Sequence, residues 1–124
     1  KLLLVDDSIV RGTTSAKIIK ALREAGATEV HLRSSAPPFL NPCYYGTDVD
    51  SKENLIACVH TIDEIAKIVG VDSLAYLNLE DVTKIGQSGY CKGYCTACFD
   101  GKYPTETPKA IINKYENKLS ESEK

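Results

Sequence analysis

Residues 1–15, Lys-Leu-Leu-Leu-Val-Asp-Asp-Ser-Ile-Val-Arg-Gly-Thr-Thr-Ser, decide the fold. Leu2, Leu3, Leu4 and Val5 form an unbroken apolar run, the pattern of a strand covered on both faces in a parallel sheet. Asp6 and Asp7 end the run, and continued strand geometry would send their side chains in opposite directions. Gly12 tolerates positive φ and lets the backbone approach a ligand closely. Thr13, Thr14 and Ser15 offer N–H and O–H donors, and Thr14 or Ser15 is the expected N-cap of a helix. That helix carries its apolar stripe at Ile18, Ile19, Leu22 and Ala25 and stops at Gly26.

Carboxylates at the carboxyl end of a strand, facing a helix N-terminus, can hold a sugar diphosphate together with Mg²⁺. The carboxylates take hydroxyls or metal-bound water. The loop amides and the helix dipole take a phosphate. A strand capped by an acidic turn before a helix is the plain alternative, and a lone Asp-Asp would favour it.

Val30-His31-Leu32-Arg33-Ser34 reads as a short second strand, and strand, helix and strand in this length make a parallel crossover unit. Ala36 to Pro42 holds three prolines and must be a long loop leaving the sheet. Asp50 to Ala57 reads as a short capped helix. Ile62 to Val69 reads as a second, N-capped at Thr61 and stopped at Gly70, with its stripe at Ile62, Ile65, Ala66 and Val69. Ser73 to Leu77 reads as a third strand, and Asn78 caps a helix from Leu79 to Ile85. From Gly86 to Pro108 the chain is rich in Gly, Cys and Tyr and lacks apolar periodicity. The tail from Pro108 has helix formers and ends in a charged run, the pattern of a fraying surface helix. The expected division is therefore 1–107, an α/β unit with its Cys-rich loop, and 108–124, a charged helical tail.

The chain is one domain at most, and its 43% hydrophobic content supports a modest core. A net charge of −2 without a basic face argues against nucleic acid as a partner. No apolar run approaches membrane-spanning length and no secretory signal is visible, so a cytoplasmic location is expected. The chain contains no Met and enters a strand at once after Lys1, which leads us to expect a piece of a longer polypeptide.

The five cysteines are Cys43, Cys58, Cys91, Cys95 and Cys98. In an enzyme-like α/β chain without a signal peptide they point to thiols or metal ligation rather than disulfides. Cys95 and Cys98 form a C-x-x-C that lets two thiolates reach one metal or one cluster. By count, a [4Fe–4S] cluster and a Zn²⁺ site fit equally well. Cys58 lies among Leu55, Ile56 and Val59 and reads as a small buried hydrophobe. His31 and His60 read as structural. Tyr44, Tyr45, Tyr90, Tyr94 and Tyr103 read as packing around the cysteine loop.

Residues 1–15 resemble the ribose-5-phosphate and pyrophosphate signature of type I phosphoribosyltransferases. Ser35-Ala36-Pro37-Pro38, Asn41 to Asp48, Ser73 to Leu77 and Cys95 to Pro104 resemble the glutamine phosphoribosylpyrophosphate amidotransferases, in the subgroup carrying an iron–sulfur cluster. The resemblance covers nearly all of residues 1–108. It implies a partial type I phosphoribosyltransferase fold: an α/β parallel sheet with flanking helices, then a Cys-rich loop and a C-terminal helix. It implies that Asp6 and Asp7 hold the ribose hydroxyls and Mg²⁺, and that Ser8, Arg11, Gly12, Thr13, Thr14 and Ser15 cradle phosphoribosyl pyrophosphate, mainly through backbone amides. It implies Cys43, Cys95 and Cys98 as ligands of a [4Fe–4S] cluster, with a fourth from upstream; Cys91 as the fourth ligand is a separate hypothesis.

The implied reaction is displacement of pyrophosphate from phosphoribosyl pyrophosphate by glutamine-derived ammonia, the first step of purine synthesis. The implied partners are an N-terminal glutaminase domain and further copies of the full-length enzyme, and the isolated piece is expected to be inactive. Two other readings remain at this stage: a phosphoribosyltransferase-type binding module without catalysis, and a small Fe–S or Zn module.

Overall fold

A computed structural model describes residues 1–49, 51–86 and 93–107. Three parallel strands form one sheet in the order β1-β2-β3: β1 (Leu2–Asp6), β2 (Val30–Ser34) and β3 (Ser73–Tyr76). Leu4 pairs with Leu32, which pairs in turn with Leu74. The helices are α1 (Thr13–Glu24), α2 (Ile56–Val59), α3 (Ile62–Val69), α4 (Leu79–Gly86) and α5 (Ala97–Asp100).

Alternation along each strand decides what is buried. Val30, Leu32 and Ser34 of β2 face the helices and are buried. They meet Ile19 of α1, Ile56 of α2 and Ile65 and Val69 of α3, with Ile9 from the loop after β1. Leu74 and Tyr76 of β3 pack against this core. A second cluster, Phe39, Val49 and Leu55, carries Val10, Cys43, Cys98 and Phe99 against it. The site described below lies at the carboxyl end of β1, where the chain turns into α1.

The α3 boundaries follow from local chemistry. The Thr61 hydroxyl accepts the Glu64 amide, and the Glu64 carboxylate accepts the Thr61 amide at 2.7 Å. Gly70, at φ 86°, ends the helix. The Glu64 carboxyl is held below its usual range by that Thr61 amide first, then the Thr61 hydroxyl. At α4 the Asp81 amide donates to the Asn78 side chain at 2.8 Å, the expected cap.

Four expectations are corrected. First, β1 is not covered on both faces. It is an edge strand, with Leu3 66% and Val5 65% exposed on the face opposite the helices. An apolar run says what a strand can be buried in, and among the described residues no layer covers that face. Second, α1 begins at Thr13 with Gly12 as its N-cap, at φ 75° and without any side-chain cap, rather than with Thr14 or Ser15. Third, 50–57 is not one helix: a 3-10 turn at Lys52–Asn54 ends at extended Leu55, and α2 starts afresh. Fourth, Cys58 is exposed, its thiol pointing to the Leu40 carbonyl at 3.3 Å. Within the Cys-rich loop, Ala97–Asp100 form a single helical turn, α5.

His31 is structural as expected, bridging Ser73 Oγ and Glu29 Oε1, each at 2.8 Å. Among the described residues no helix is long and apolar enough to cross a membrane. The expected tail at 108–124, Tyr90 and Cys91 lie outside the described residues.

Candidate functional site

The turn after β1 is fixed from three sides. The Ser35 amide donates to the Asp6 carbonyl at 2.8 Å, tying the ends of β1 and β2 together. The Ser35 hydroxyl donates to the carbonyls of Asp6 and Asp7 at 3.1 and 3.3 Å. Ile9 is buried in the core, and the Ile56 amide donates to the Val10 carbonyl at 3.0 Å. The loop between strand and helix is thereby anchored at both ends.

Gly12 then reverses the chain with a left-handed φ of 75° and starts α1, its carbonyl accepting the Ala16 amide at 2.9 Å. The amides of a first helical turn have no intrahelical acceptors. No side chain caps them here, so those at Thr13 to Ser15 are left for water or a ligand, at the positive end of the helix dipole.

Asp6 is half-buried and Asp7 is exposed. Each carboxylate uses Oδ1 on the next amide: Asp7 N–H donates to Asp6 at 3.0 Å, and Ser8 N–H donates to Asp7 at 2.6 Å. Both residues line one pocket of about 390 Å³, together with Ser8, Arg11, Gly12, Thr13, Thr14 and Ser15. All eight residues proposed from the sequence thus share one wall. Val10, Ile18 and Asp48 complete it. Asp48 was not anticipated, because a loop well separated in sequence delivers it; neither was Ser35, which holds the turn from outside the pocket. Two carboxylates beside a phosphate cradle suit Mg²⁺, which is usually bound by one or two carboxylates plus substrate phosphates rather than by an all-protein cage.

A second pocket, of about 360 Å³, is lined by Cys43, Cys95 and Cys98 with Tyr45, Thr47 and Tyr103 among its other walls. It brings the three expected thiols to one cavity. Among the described residues no three His, Cys, Asp or Glu side chains are grouped tightly enough to hold a single metal ion. Leu40 and Asn41 donate their amides to the Cys98 carbonyl at 2.9 and 3.0 Å, fastening the proline loop to α5. Tyr103 donates to the Pro42 carbonyl at 2.6 Å and stacks obliquely on Tyr44 at 5.1 Å. Burial, then Tyr44, push the Tyr103 phenol up to about 12.

Burial raises the Cys43 thiol, but the amides of Gly46, Tyr45 and Thr47 outweigh it and bring it down to about 7. Burial first, then the neighbouring Cys43 sulfur, push Cys98 above the usual thiol value. The thiolate is the reactive form, and its fraction grows as pH rises through the pKa. In metal-free protein, iodoacetamide should therefore modify Cys43 with a half-maximal rate near pH 7, and Cys98 only at higher pH. Peptide mass spectrometry across a pH series checks this; faster labelling of Cys98 than of Cys43 at pH 7 would contradict it.

No family model matches the chain. A curated amidophosphoribosyltransferase of Archaeoglobus fulgidus is 51% identical over 109 residues, 87% of this chain and 24% of the relative. One from Bacillus subtilis is 52% identical over 110 residues, 86% of this chain and 23% of the relative. The solved structure of the glutamine phosphoribosylpyrophosphate amidotransferase from B. subtilis, complexed with ADP and GMP, matches with a TM-score of 0.79 at 47% identity. That match covers 91% of this chain and 26% of the other. The chain spans about a quarter of the length of these relatives.

Proposed function

In sequence and in fold this chain corresponds to a segment of the amidophosphoribosyltransferases, and on that premise we propose that it forms the phosphoribosyl-holding part of such an enzyme. The supporting observation is the single pocket in which Asp6 and Asp7 face the uncapped first turn of α1. The reaction is displacement of pyrophosphate from C1 of phosphoribosyl pyrophosphate by ammonia, giving 5-phosphoribosylamine for purine synthesis.

Breaking the C1–O bond builds positive charge on the ribose and negative charge on the leaving group. Asp6 and Asp7 orient the ribose by accepting hydrogen bonds from its hydroxyls, and their charge favours the cationic ring. The amides of Thr13, Thr14 and Ser15 fix the 5-phosphate. Positioning and fixed charge carry the barrier reduction, with no nucleophile needed from this chain. Asp6 and Asp7 would hold Mg²⁺, which would supply charge neutralisation of the leaving pyrophosphate. Ammonia comes from glutamine hydrolysed by a glutaminase domain of the full-length protein, which assembles from several copies in the cytoplasm.

Cys43, Cys95 and Cys98 would hold a [4Fe–4S] cluster, with a fourth ligand from upstream or from Cys91. The cluster would supply a cross-link between the 43–49 loop and α5. Three thiols around one cavity, one of them favouring the thiolate near neutrality, support that assignment. Reconstitution with iron and sulfide, followed by absorbance of a Cys91→Ser variant, decides whether Cys91 is a ligand.

The experiment for the whole reading is pyrophosphate release by the full-length protein given phosphoribosyl pyrophosphate, Mg²⁺ and ammonium. Release dependent on all three is expected. Binding without release would leave a ligand-binding module instead.

A further inference from the structure

One residue of the pentose pocket comes from outside the continuous strand, loop and helix, residues 6–18, that supply the rest of its lining. Asp48 belongs to the loop after the proline stretch, and it lines the same pocket as Asp6 and Asp7. That loop is closed on itself. Cys43 N–H donates to the Val49 carbonyl at 2.9 Å and Val49 N–H to the Thr47 carbonyl at 2.8 Å. The Thr47 amide donates to the Cys43 sulfur at 3.4 Å. Val49 is buried in the second core, so Asp48 sits beside an anchored residue.

The three carboxylates are not equivalent. Asp6 and Asp7 each accept the next backbone amide and so help hold the turn. Asp48 is exposed, and among the described residues its carboxylate has no hydrogen bond or ion pair. Its charge is left to act on whatever enters the pocket.

A phosphate ester entering alone meets attraction from the α1 N-terminus and from the Arg11 guanidinium, and repulsion from three carboxylates. A divalent cation travelling with the ester reverses the sign of the acidic contribution. Resting on the pocket assignment above, we propose that Asp48 is a specificity-determining residue. Its carboxylate biases the site toward a phosphorylated pentose complexed with a divalent cation and against the metal-free ester.

The test is calorimetric titration of the full-length protein with ribose 5-phosphate, once in MgCl₂ and once in EDTA. The ratio of the two affinities reports the preference for the metal complex. Asp48→Asn should shrink that ratio by roughly 3- to 10-fold at low ionic strength, chiefly by tightening binding in EDTA, the scale expected for removing one solvent-exposed like charge near the ligand. Asp48→Ala should do the same, which separates charge from the new amide. Glu53→Gln, a carboxylate outside this pocket, should leave the ratio unchanged. An unchanged ratio in both Asp48 variants, with binding abolished in the Asp6→Asn/Asp7→Asn variant, overturns the role of Asp48 alone. Equal binding by the wild type and that double variant overturns the pocket assignment, and the role of Asp48 with it.

Discussion

Replacing Asp6 and Asp7 together by Asn should weaken binding of Mg²⁺–phosphoribosyl pyrophosphate to the full-length protein by roughly 10²- to 10⁴-fold. Hydrogen bonds to charged groups contribute about 1.5–3 kcal/mol each, and two are removed. Asn retains an Oδ1, so it can still accept the Asp7 and Ser8 amides that the aspartates accept now. The turn should keep its shape, and the thermal midpoint should move little. That separates this variant from a folding defect. Titration calorimetry measures it; a loss under threefold would show that the acids do not touch the ligand.

Gly12→Ala should have the largest effect on folding among single changes at the site. Gly12 sits at φ +75°, and a Cβ built there lies 2.8 Å from Ile56 Cδ1 and 3.6 Å from Val69 Cγ2. The left-handed backbone costs an L-residue about 1–2 kcal/mol and overpacking adds about 1–3, so a loss of about 2–5 kcal/mol is expected. The Ile56 methyl is the far end of a flexible chain, so part of the strain is relievable. Ile56→Val removes that methyl, and in the double variant the steric part should be recovered while the backbone part remains. Because Gly12 sets the direction of the first-turn amides, pentose phosphate binding should fall alongside stability. Urea unfolding measures the first and calorimetry the second; an unchanged midpoint would mean that the turn is not as described.

What the sequence made legible was what it writes locally. The Thr61 cap, the Gly70 stop and the Asn78 cap are short-range chemistry, and each element lies where its signals put it; the Glu64 half of the Thr61 capping box was not read. The strands Val30–Ser34 and Ser73–Tyr76 are short segments set between turn residues, and their parallel pairing follows from the helices between them. Gly12 was read for its positive φ but not as the cap. The hydroxyls of Thr14 and Ser15 look like better capping groups, yet the left-handed glycine already starts the helix one residue earlier and leaves the turn uncapped.

Properties set by distant partners were not legible. Nothing in Leu2–Val5 says whether a second layer covers the strand. Cys58 has apolar neighbours, but Leu55 and Ile56 take the inward positions and the end of α2 turns its thiol to the Leu40 carbonyl. Asp48 and Ser35 reach the site from loops whose paths depend on tertiary contacts: the Cys43–Val49 closure for one, the pairing of β1 with β2 for the other.

The most direct test is a crystal structure of the full-length protein soaked with ribose 5-phosphate and Mg²⁺. The phosphate oxygens should lie about 3 Å from the amides of Thr13, Thr14 and Ser15, with the ribose hydroxyls on Asp6 and Asp7. A phosphate bound away from that turn, or a ribose that leaves both carboxylates untouched, would contradict the account.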